Sequence, residues 1–197
     1  MKTHDTELAR SSPPRGEKRS ADEIAMARIR RAAAVVRHRQ EEMYDRLAEN
    51  FARHFEASGT KTPEALEAAL DSARAQLTAA GAVTHQQGER LKGFLQRDIE
   101  RTAQALAGAE RNVAERLDPA RLEAGALASI ASALAPAGDA LRALARDGQR
   151  ALEQRTGEVT SAGTLACGSC GHTMRLRRTG TVPPCPHCRA TRFRKGC

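Results

Sequence analysis

Apolar side chains recur at three-, four- and seven-residue steps through the stretch from Asp22 to Ala57, which contains no proline or glycine. This spacing places them along one face of an α-helix and predicts one long amphipathic helix. The stripe consists of Ile29, Ala33, Val36, Met43, Leu47, Phe51 and Phe55. The helices that follow cannot cover all of it, because each carries a stripe of its own. We therefore expect this region to associate with a second copy of the chain or with another protein.

The next two helices are marked by capping signals. Thr62-Pro63 predicts the N-cap and first residue of a second helix, and Gly81 predicts the residue that follows its C-terminus. Thr84 and Gln87 have the spacing of a capping box, in which each side chain accepts a hydrogen bond from the other residue's backbone. The third helix is expected to start there and to run to about Leu117.

The remaining helical segments are rich in alanine and poor in large apolar side chains. Asp118-Pro119 and Asp139 predict the starts of a fourth and a fifth helix, with breakers at Pro136 and Gly138 between them. Their large apolar positions are Leu122, Leu127, Ile130 and Leu134 in the fourth helix and Leu141, Leu144 and Leu152 in the fifth. So little apolar volume favours a thin helical hairpin or coiled coil over a thick core. Asp98 falls among the inward positions of the third helix, and we expect its carboxylate to point to solvent.

Two Cys-x-x-Cys pairs near the C-terminus are separated by fourteen residues. They are Cys167, Cys170, Cys185 and Cys188. This spacing is typical of a zinc site in which two tight turns each present two thiolates to one ion. A thioredoxin-like redox pair would need a βαβ setting, and disulfides would need an oxidising compartment. Four cysteine ligands leave no coordination position open for water, so we expect one structural Zn2+ without a catalytic role.

Short strands are predicted around the cysteine pairs. They are Glu158–Thr160, Thr164–Ala166, His172–Arg177 and Thr191–Arg194, with the last three forming a three-stranded sheet. Thr179-Gly180 is a turn signal, and Gly168 and Gly171 suit backbone that curls around a metal at positive φ. His172 and His187 lie close to the ligands in sequence, and we interpret them as surface residues.

The excess of positive charge lies at the two ends of the chain. Of the formal net charge of +8, residues 1–40 carry +5, residues 41–156 carry −3 and residues 157–197 carry +6. We predict a disordered basic tail over residues 1–20, a helical domain over residues 21–156 and a separately folding zinc ribbon over residues 157–197. The predicted fold class is mainly α, with a long helical hairpin or coiled-coil-like bundle followed by a small C-terminal β zinc ribbon.

The sequence offers neither a membrane segment nor a catalytic constellation. No apolar run approaches the ~20 residues that a membrane-spanning helix needs, and the N-terminus lacks the apolar core of a signal peptide. No glycine-rich phosphate loop and no pairing of a nucleophile with a histidine can be argued. We therefore expect a cytoplasmic protein that is not an enzyme.

Two classes of function stay open. A helical scaffold with a rigid zinc-bound tip would mediate protein–protein interaction or self-association, which fits the mildly acidic helical region. A nucleic-acid-binding ribbon would instead use arginines that alternation places on one face of each strand, and adjacent strands would join these faces into one basic patch. The candidate contacts are Arg175, Arg177, Arg192 and Arg194. Only Phe193 is available to stack on a base, so we expect weak, salt-sensitive binding at most.

The ribbon also carries a family resemblance. The lead-in Gly157-Glu158-Val159, then Gly163 and Leu165, precede Cys167-x-x-Cys170 and the later Cys185-Pro186-x-Cys188, and this pattern resembles the bacterial zinc-ribbon-containing YbeL-like family. The helix junction of that family is matched by Gly81, Thr84, Arg97-Asp98 and Glu100. The resemblance covers roughly residues 44 to 195. It implies a helical hairpin region followed by a C-terminal ribbon in a cytoplasmic protein, and it implies no enzyme activity.

Overall fold

The computed structural model describes residues 21–107, 125–134 and 153–196. Over these ranges the chain is mainly helical and ends in a small β region that carries the cysteines, so the predicted fold class is confirmed. Several predictions lie outside the described residues: those for the tail of residues 1–20, Leu117, Asp118-Pro119, Leu122, Pro136, Gly138 and the helix after Asp139.

The predicted long helix is confirmed as α1, Ala21–Ala57. The chain divides into two compact units between Val35 and Val36, and α1 contributes to both. In the unit of residues 36–197, the helix buries its stripe completely at Leu47 and Phe51. In residues 22–35 the large apolar side chains, Ile24, Met26, Ile29 and Val35, are exposed. The stripe predicted from the sequence is therefore covered only in its C-terminal half.

Helices α2, Pro63–Ala79, and α3, His85–Ala107, begin where the capping signals predict. The Thr62 hydroxyl accepts a hydrogen bond from the Ala65 N–H at 3.2 Å. Between Thr84 and Gln87 the reciprocal capping bonds measure 2.9 Å and 3.3 Å. Gly81 ends the α2 region at a φ of 65°, a left-handed conformation that glycine adopts without steric cost.

One apolar core joins these helices to the short helix α4, Ala126–Leu134. Its largest fully buried apolar members are Tyr44, Phe51, Phe55, Leu47, Leu70, Leu95, Ile99, Ile130 and Leu134. Asp45 of α1 accepts a hydrogen bond from the Ala126 N–H at 3.1 Å, so α1 caps the N-terminus of α4. Burial of each large side chain contributes about 1.5–3 kcal/mol. Among the described residues, no helix is both long and apolar enough to span a membrane.

The ribbon contains two sheets. One has four strands in the order β1-β6-β3-β4, all antiparallel, and the other pairs β2 with β5. The strands are β1 Glu153–Arg155, β2 Val159–Thr160, β3 Gly163–Cys167, β4 Thr173–Leu176, β5 Gly180–Thr181 and β6 Arg192–Gly196. The strands predicted around residues 158–160, 164–166, 172–177 and 191–194 are thus present with small shifts of their ends.

Two details of the ribbon prediction were wrong. The main sheet has four strands because Glu153–Arg155 adds β1 to the outer edge of β6. Gly180 does not form a turn with Thr179, because it already pairs with Thr160 of β2. The bend lies just before it, at residues 177–179.

Strand β5 and the residue before it are anchored to α1. The Glu41 carboxylate accepts hydrogen bonds from the Thr181 N–H at 2.9 Å and from its hydroxyl at 3.0 Å. Asp45 accepts one from the Thr179 hydroxyl at 2.6 Å. These contacts fix the side of the ribbon that faces the helices.

Candidate metal centre

The four predicted cysteines converge on one point. Their sulfur atoms all lie within 4.8 Å of one another. The Cys167 and Cys188 sulfurs are 3.6 Å apart, and those of Cys170 and Cys185 are 3.7 Å apart. Four thiolates placed about 2.3 Å from a tetrahedral zinc ion would be separated by about 3.8 Å. The donor set and its spacing therefore fit zinc.

Each Cys-x-x-Cys pair is held by a tight backbone turn. In the first, the Gly171 N–H donates to the Cys167 carbonyl at 3.0 Å, and in the second the Arg189 N–H donates to the Cys185 carbonyl at 2.8 Å. Gly171 has a φ of 70° and Arg189 a φ of 61°. In both turns the residue after the second cysteine therefore has a left-handed backbone conformation. In the second turn this residue is an arginine, at a position where glycine is favoured.

The two glycines of the first turn have different roles. The expectation of positive φ is confirmed at Gly171, whereas Gly168 is not among the positive-φ residues. The Gly168 N–H donates to the Arg192 carbonyl at 3.0 Å, and an added Cβ would stand 3.4 Å from that same oxygen. Glycine is therefore favoured at position 168 because the backbone of β6 comes so close to it.

Backbone N–H groups favour the thiolate form of one cysteine, which is the form that binds metal. The N–H groups of Cys170 and Ser169 point at the Cys167 sulfur and lower its pKa to about 6. At Cys188 the N–H of Ala190 also lowers the pKa, but the thiol of Cys170, burial and the other cysteines raise it further, so the net shift is upward. Four adjacent thiols cannot all ionise without a cation between them.

Zinc ligation is restricted to cysteine among the residues that the structure describes. The group of candidate metal ligands there contains the four cysteines and no histidine. The rings of His172 and His187 stack on each other with centroids 6.0 Å apart, and both side chains are exposed. Their interpretation as surface residues of the two turns agrees with these positions.

The family model DUF1451, described as a zinc-ribbon containing domain, matches residues 53–196. The chain belongs to this family. The match includes all four cysteines and all six strands, and it confirms the zinc-ribbon resemblance seen in the sequence. No curated protein and no solved structure matches the chain. Most of α1 precedes the DUF1451 match.

The DUF1451 ribbon is fixed to the helices by Asp98 of α3. Asp98 is only 1% exposed, so the expectation that it points to solvent was wrong. Its carboxylate accepts hydrogen bonds from the hydroxyls of Tyr44 at 2.6 Å and Thr160 at 3.0 Å, the Ser161 N–H at 2.7 Å, the Lys195 ammonium at 3.1 Å, and the Arg101 guanidinium. We call these six residues the Asp98 cluster. A buried carboxylate is tolerated where cations and hydrogen-bond donors surround it.

Electrostatics keeps the Asp98 carboxylate ionised. Burial alone would raise its pKa, but the charges of Lys195 and Arg101 and the hydrogen bonds from Ser161 and Tyr44 together hold the pKa well below its usual range. Burial and the Asp98 charge raise the pKa of the Tyr44 hydroxyl well above 10. The cluster therefore contains an anion, two cations and a neutral tyrosine at neutral pH.

The Asp98 cluster joins both ends of the ribbon to two helices. Val159 of β2, next to Thr160, is fully buried within the helical core, and Arg97 of α3 forms an ion pair with Glu158 at 3.0 Å. Residues 36–197 accordingly form one compact unit. This packing argues against the expectation that ribbon and helices fold separately.

The predicted nucleic-acid contacts are all exposed, but their arrangement differs from the expectation. Strand β3 lies between β4 and β6, so the strands that carry the arginines are not adjacent. Arg175 stands opposite Thr164 of β3, and Arg194 stands opposite Ala166. Short side chains therefore separate arginines that still share one sheet face.

Two further residues change this basic face. Arg155 of β1 stands opposite Arg192 and adds a guanidinium that sequence analysis missed, because β1 was not predicted. Lys195 lies on the other face, where it is buried against Asp98. Arg177 follows the end of β4 and is exposed. We call Arg155, Arg175, Arg192 and Arg194 the basic sheet face.

Proposed function

We propose that this protein is a non-enzymatic, cytoplasmic scaffold that binds another protein through α1 and whose ribbon is held by one structural zinc ion. Zinc with four cysteine ligands has no open position for substrate or water, which favours a structural role. The tight fixing of the ribbon through the Asp98 cluster supports a rigid body rather than a mobile reader domain.

The observation that carries the proposal is the exposed apolar face of α1. Met26 is 51% exposed, Ile29 is 62% exposed and Val36 is 66% exposed. By their spacing they continue the stripe that Met43 and Leu47 bury further along the helix. Soluble proteins rarely leave a run of large apolar side chains on one helix face uncovered unless the face binds something.

Affinity capture from native cell extract tests this proposal. The Ile29→Ser/Val36→Ser variant removes apolar area from the stripe. Ile24→Ser/Val35→Ser is the matched control, since both residues are exposed but lie on the opposite side of the helix at about 100° per residue. We expect wild type and control to retain the same proteins after nuclease treatment and the stripe variant to lose them. Retention that is unchanged in the stripe variant would contradict the proposal.

A second candidate function is nucleic-acid binding through the basic sheet face. Four exposed arginines on one side of a sheet suit phosphate contacts. The strand aromatic Phe193 is only 1% exposed, so it cannot stack on a base. Binding would therefore be weak and without sequence preference.

Salt dependence tests the second candidate. If about four phosphates are contacted, the logarithm of affinity falls with the logarithm of salt at a slope of about −3 to −4. Gln substitutions at the basic sheet face, Arg155, Arg175, Arg192 and Arg194, should flatten that slope. The control replaces Arg28, Arg30 and Arg31 of α1 with Gln. An equal flattening of the slope in the control would mean that the ribbon is not the specific contact. Binding that persists at high salt would contradict this second candidate function.

A further inference from the structure

The exposed stripe of α1 has the spacing of a coiled-coil seam. Met26, Ile29, Ala33 and Val36 follow one another at alternating steps of three and four residues, and Gln40 and Met43 continue the same steps. This is the a and d pattern of a heptad repeat. We call the exposed part, Met26, Ile29, Ala33 and Val36, the α1 seam.

The width of the α1 seam favours a helix as its occupant. A helix that lies on a membrane has a broad apolar face, commonly with Trp or Phe. No aromatic residue occurs between residues 21 and 43 of this chain. A seam with one apolar position every three or four residues buries little area in lipid but matches the facing seam of a second helix.

The positions that flank the α1 seam carry positive charge. With Met26 at an a position, the neighbouring e and g positions up to residue 39 include Arg30, Arg37 and Arg39, all exposed. The outer positions add Arg28 and Arg31. Residues at e and g set the choice of partner in coiled coils, because they face the partner's own e and g residues. A partner with Glu or Asp at those positions would be attracted.

A second copy of the chain fits these flanks poorly. In a parallel pair, no e or g position between Met26 and Gln40 meets an opposite charge. In an antiparallel pair Glu23 would approach Arg37 of the second copy, but Arg30 would face Arg30. Either arrangement brings together two helices that are both rich in arginine.

We propose that the α1 seam binds an amphipathic helix of another protein whose apolar seam is flanked by Glu or Asp. This inference rests on the proposed function and specifies the class of partner. It assigns the recognition of apolar side chains to the seam and the choice among partners to Arg30, Arg37 and Arg39.

The test uses synthetic peptides of about three heptads with the full-length, zinc-loaded protein. One peptide carries Leu at a and d and Glu at e and g, and a second carries Lys at e and g. A third has the composition of the first with its leucines scrambled out of register. We expect the Glu peptide to bind with 1:1 stoichiometry and at least tenfold more tightly than either other peptide, as measured by fluorescence anisotropy.

Matched variants separate the seam from its flanks. Ile29→Ser/Val36→Ser should weaken Glu-peptide binding at least tenfold, whereas Ile24→Ser/Val35→Ser should leave it unchanged. Arg30→Glu/Arg37→Glu should reverse the preference, so that the Lys peptide binds more tightly. Circular dichroism of each variant confirms that α1 is still folded.

Other outcomes would overturn the inference. Equal binding of the scrambled peptide would mean general charge attraction, and seam-dependent binding to anionic phosphatidylglycerol vesicles in its place would mean a membrane surface. A dimer in sedimentation that requires Ile29 and Val36 and resists the Glu peptide would place a second copy on the seam. In that case α1 would be an interaction surface, but not for another protein. Failure of every peptide, together with extract capture that ignores the seam variant, would contradict both this inference and the proposed function.

Discussion

The cysteine centre and the Asp98 cluster collect charged groups in opposite ways. The cysteines come from two turns within residues 167–188 and supply only negative charge, so they need a cation from outside the chain. The Asp98 cluster draws on residues from Tyr44 to Lys195 and contains its own cations. Strand β6 links the two, since Phe193 pairs with Cys167 and Lys195 reaches Asp98. We therefore expect zinc to support the ribbon directly and, through β6, the helices indirectly.

The largest expected effect comes from removing zinc. Binding of structural zinc in small zinc fingers supplies about 10–16 kcal/mol of apparent free energy. Excess chelator should therefore unfold the ribbon and withdraw Lys195, Thr160 and Ser161 from Asp98. The melting midpoint followed by helical circular dichroism should then fall, although much of the helix signal should remain at low temperature. An unchanged helical midpoint would mean that the ribbon folds separately.

Asp98→Ala tests how much the Asp98 cluster contributes to stability. The substitution breaks the buried ion pairs that the Asp98 carboxylate makes with Lys195 and Arg101, which should cost about 3–5 kcal/mol of the free energy of unfolding. Asp71→Ala is the matched control, because Asp71 pairs with Lys92 at 2.8 Å but is 49% exposed. That substitution should cost at most about 1 kcal/mol. Urea unfolding at saturating zinc measures both, and equal losses would contradict the special role of the buried site.

The cysteine centre could be predicted from the sequence because it is built from residues that are close together along the chain. The cysteine centre was found because its ligands lie in two short motifs whose spacing is fixed by the geometry of a tight turn. The N-cap at Thr62 and the capping box at Thr84 were found for the same reason, since their partners are three residues away. Local geometry leaves a local pattern in the sequence.

The Asp98 cluster leaves no such pattern. Its members lie up to 97 residues from Asp98 along the chain. A carboxylate at an inward helix position most often points to solvent. One signal was available. Asp98 lies at an apolar position of α3, and a buried acid there requires cations such as Arg101, three residues later. The remaining partners follow only from how β2 and β6 pack on α3.

A titration gives a direct view of the Asp98 cluster, because Tyr44 is the single tyrosine of the chain. Burial and the Asp98 charge raise its pKa, so tyrosinate absorbance should appear only well above pH 10 in the folded protein. In urea it should appear near pH 10. Because the folded pKa is the higher one, stability is complete below about pH 10 and falls as pH rises beyond it.

The titration has its own control. Asp98→Asn removes the negative charge next to Tyr44 and should shift the native titration toward lower pH, while burial still holds it above 10. Tyrosinate that forms near pH 10 in the folded wild-type protein would show that Tyr44 is in contact with water and that the cluster does not close.

The smallest effect concerns the two turns of the metal centre. Arg189→Gly places glycine at a left-handed position and relieves steric cost, offset in part by greater freedom of the unfolded chain. We expect a gain of about 0.5–1 kcal/mol, or roughly two- to fivefold tighter zinc binding in competition with a chelator. Gly171→Arg should weaken binding by a similar or larger factor. Weaker zinc binding by Arg189→Gly, or tighter zinc binding by Gly171→Arg, would mean that the two turns are not equivalent.

The central claim is that four cysteines hold one zinc ion. Elemental analysis of protein purified without added metal should find about one zinc per chain in the wild type and in Cys197→Ser, which removes the only other cysteine. Cys185→Ser/Cys188→Ser should lose the metal. One zinc retained by that double variant, or lost by Cys197→Ser, would contradict the account.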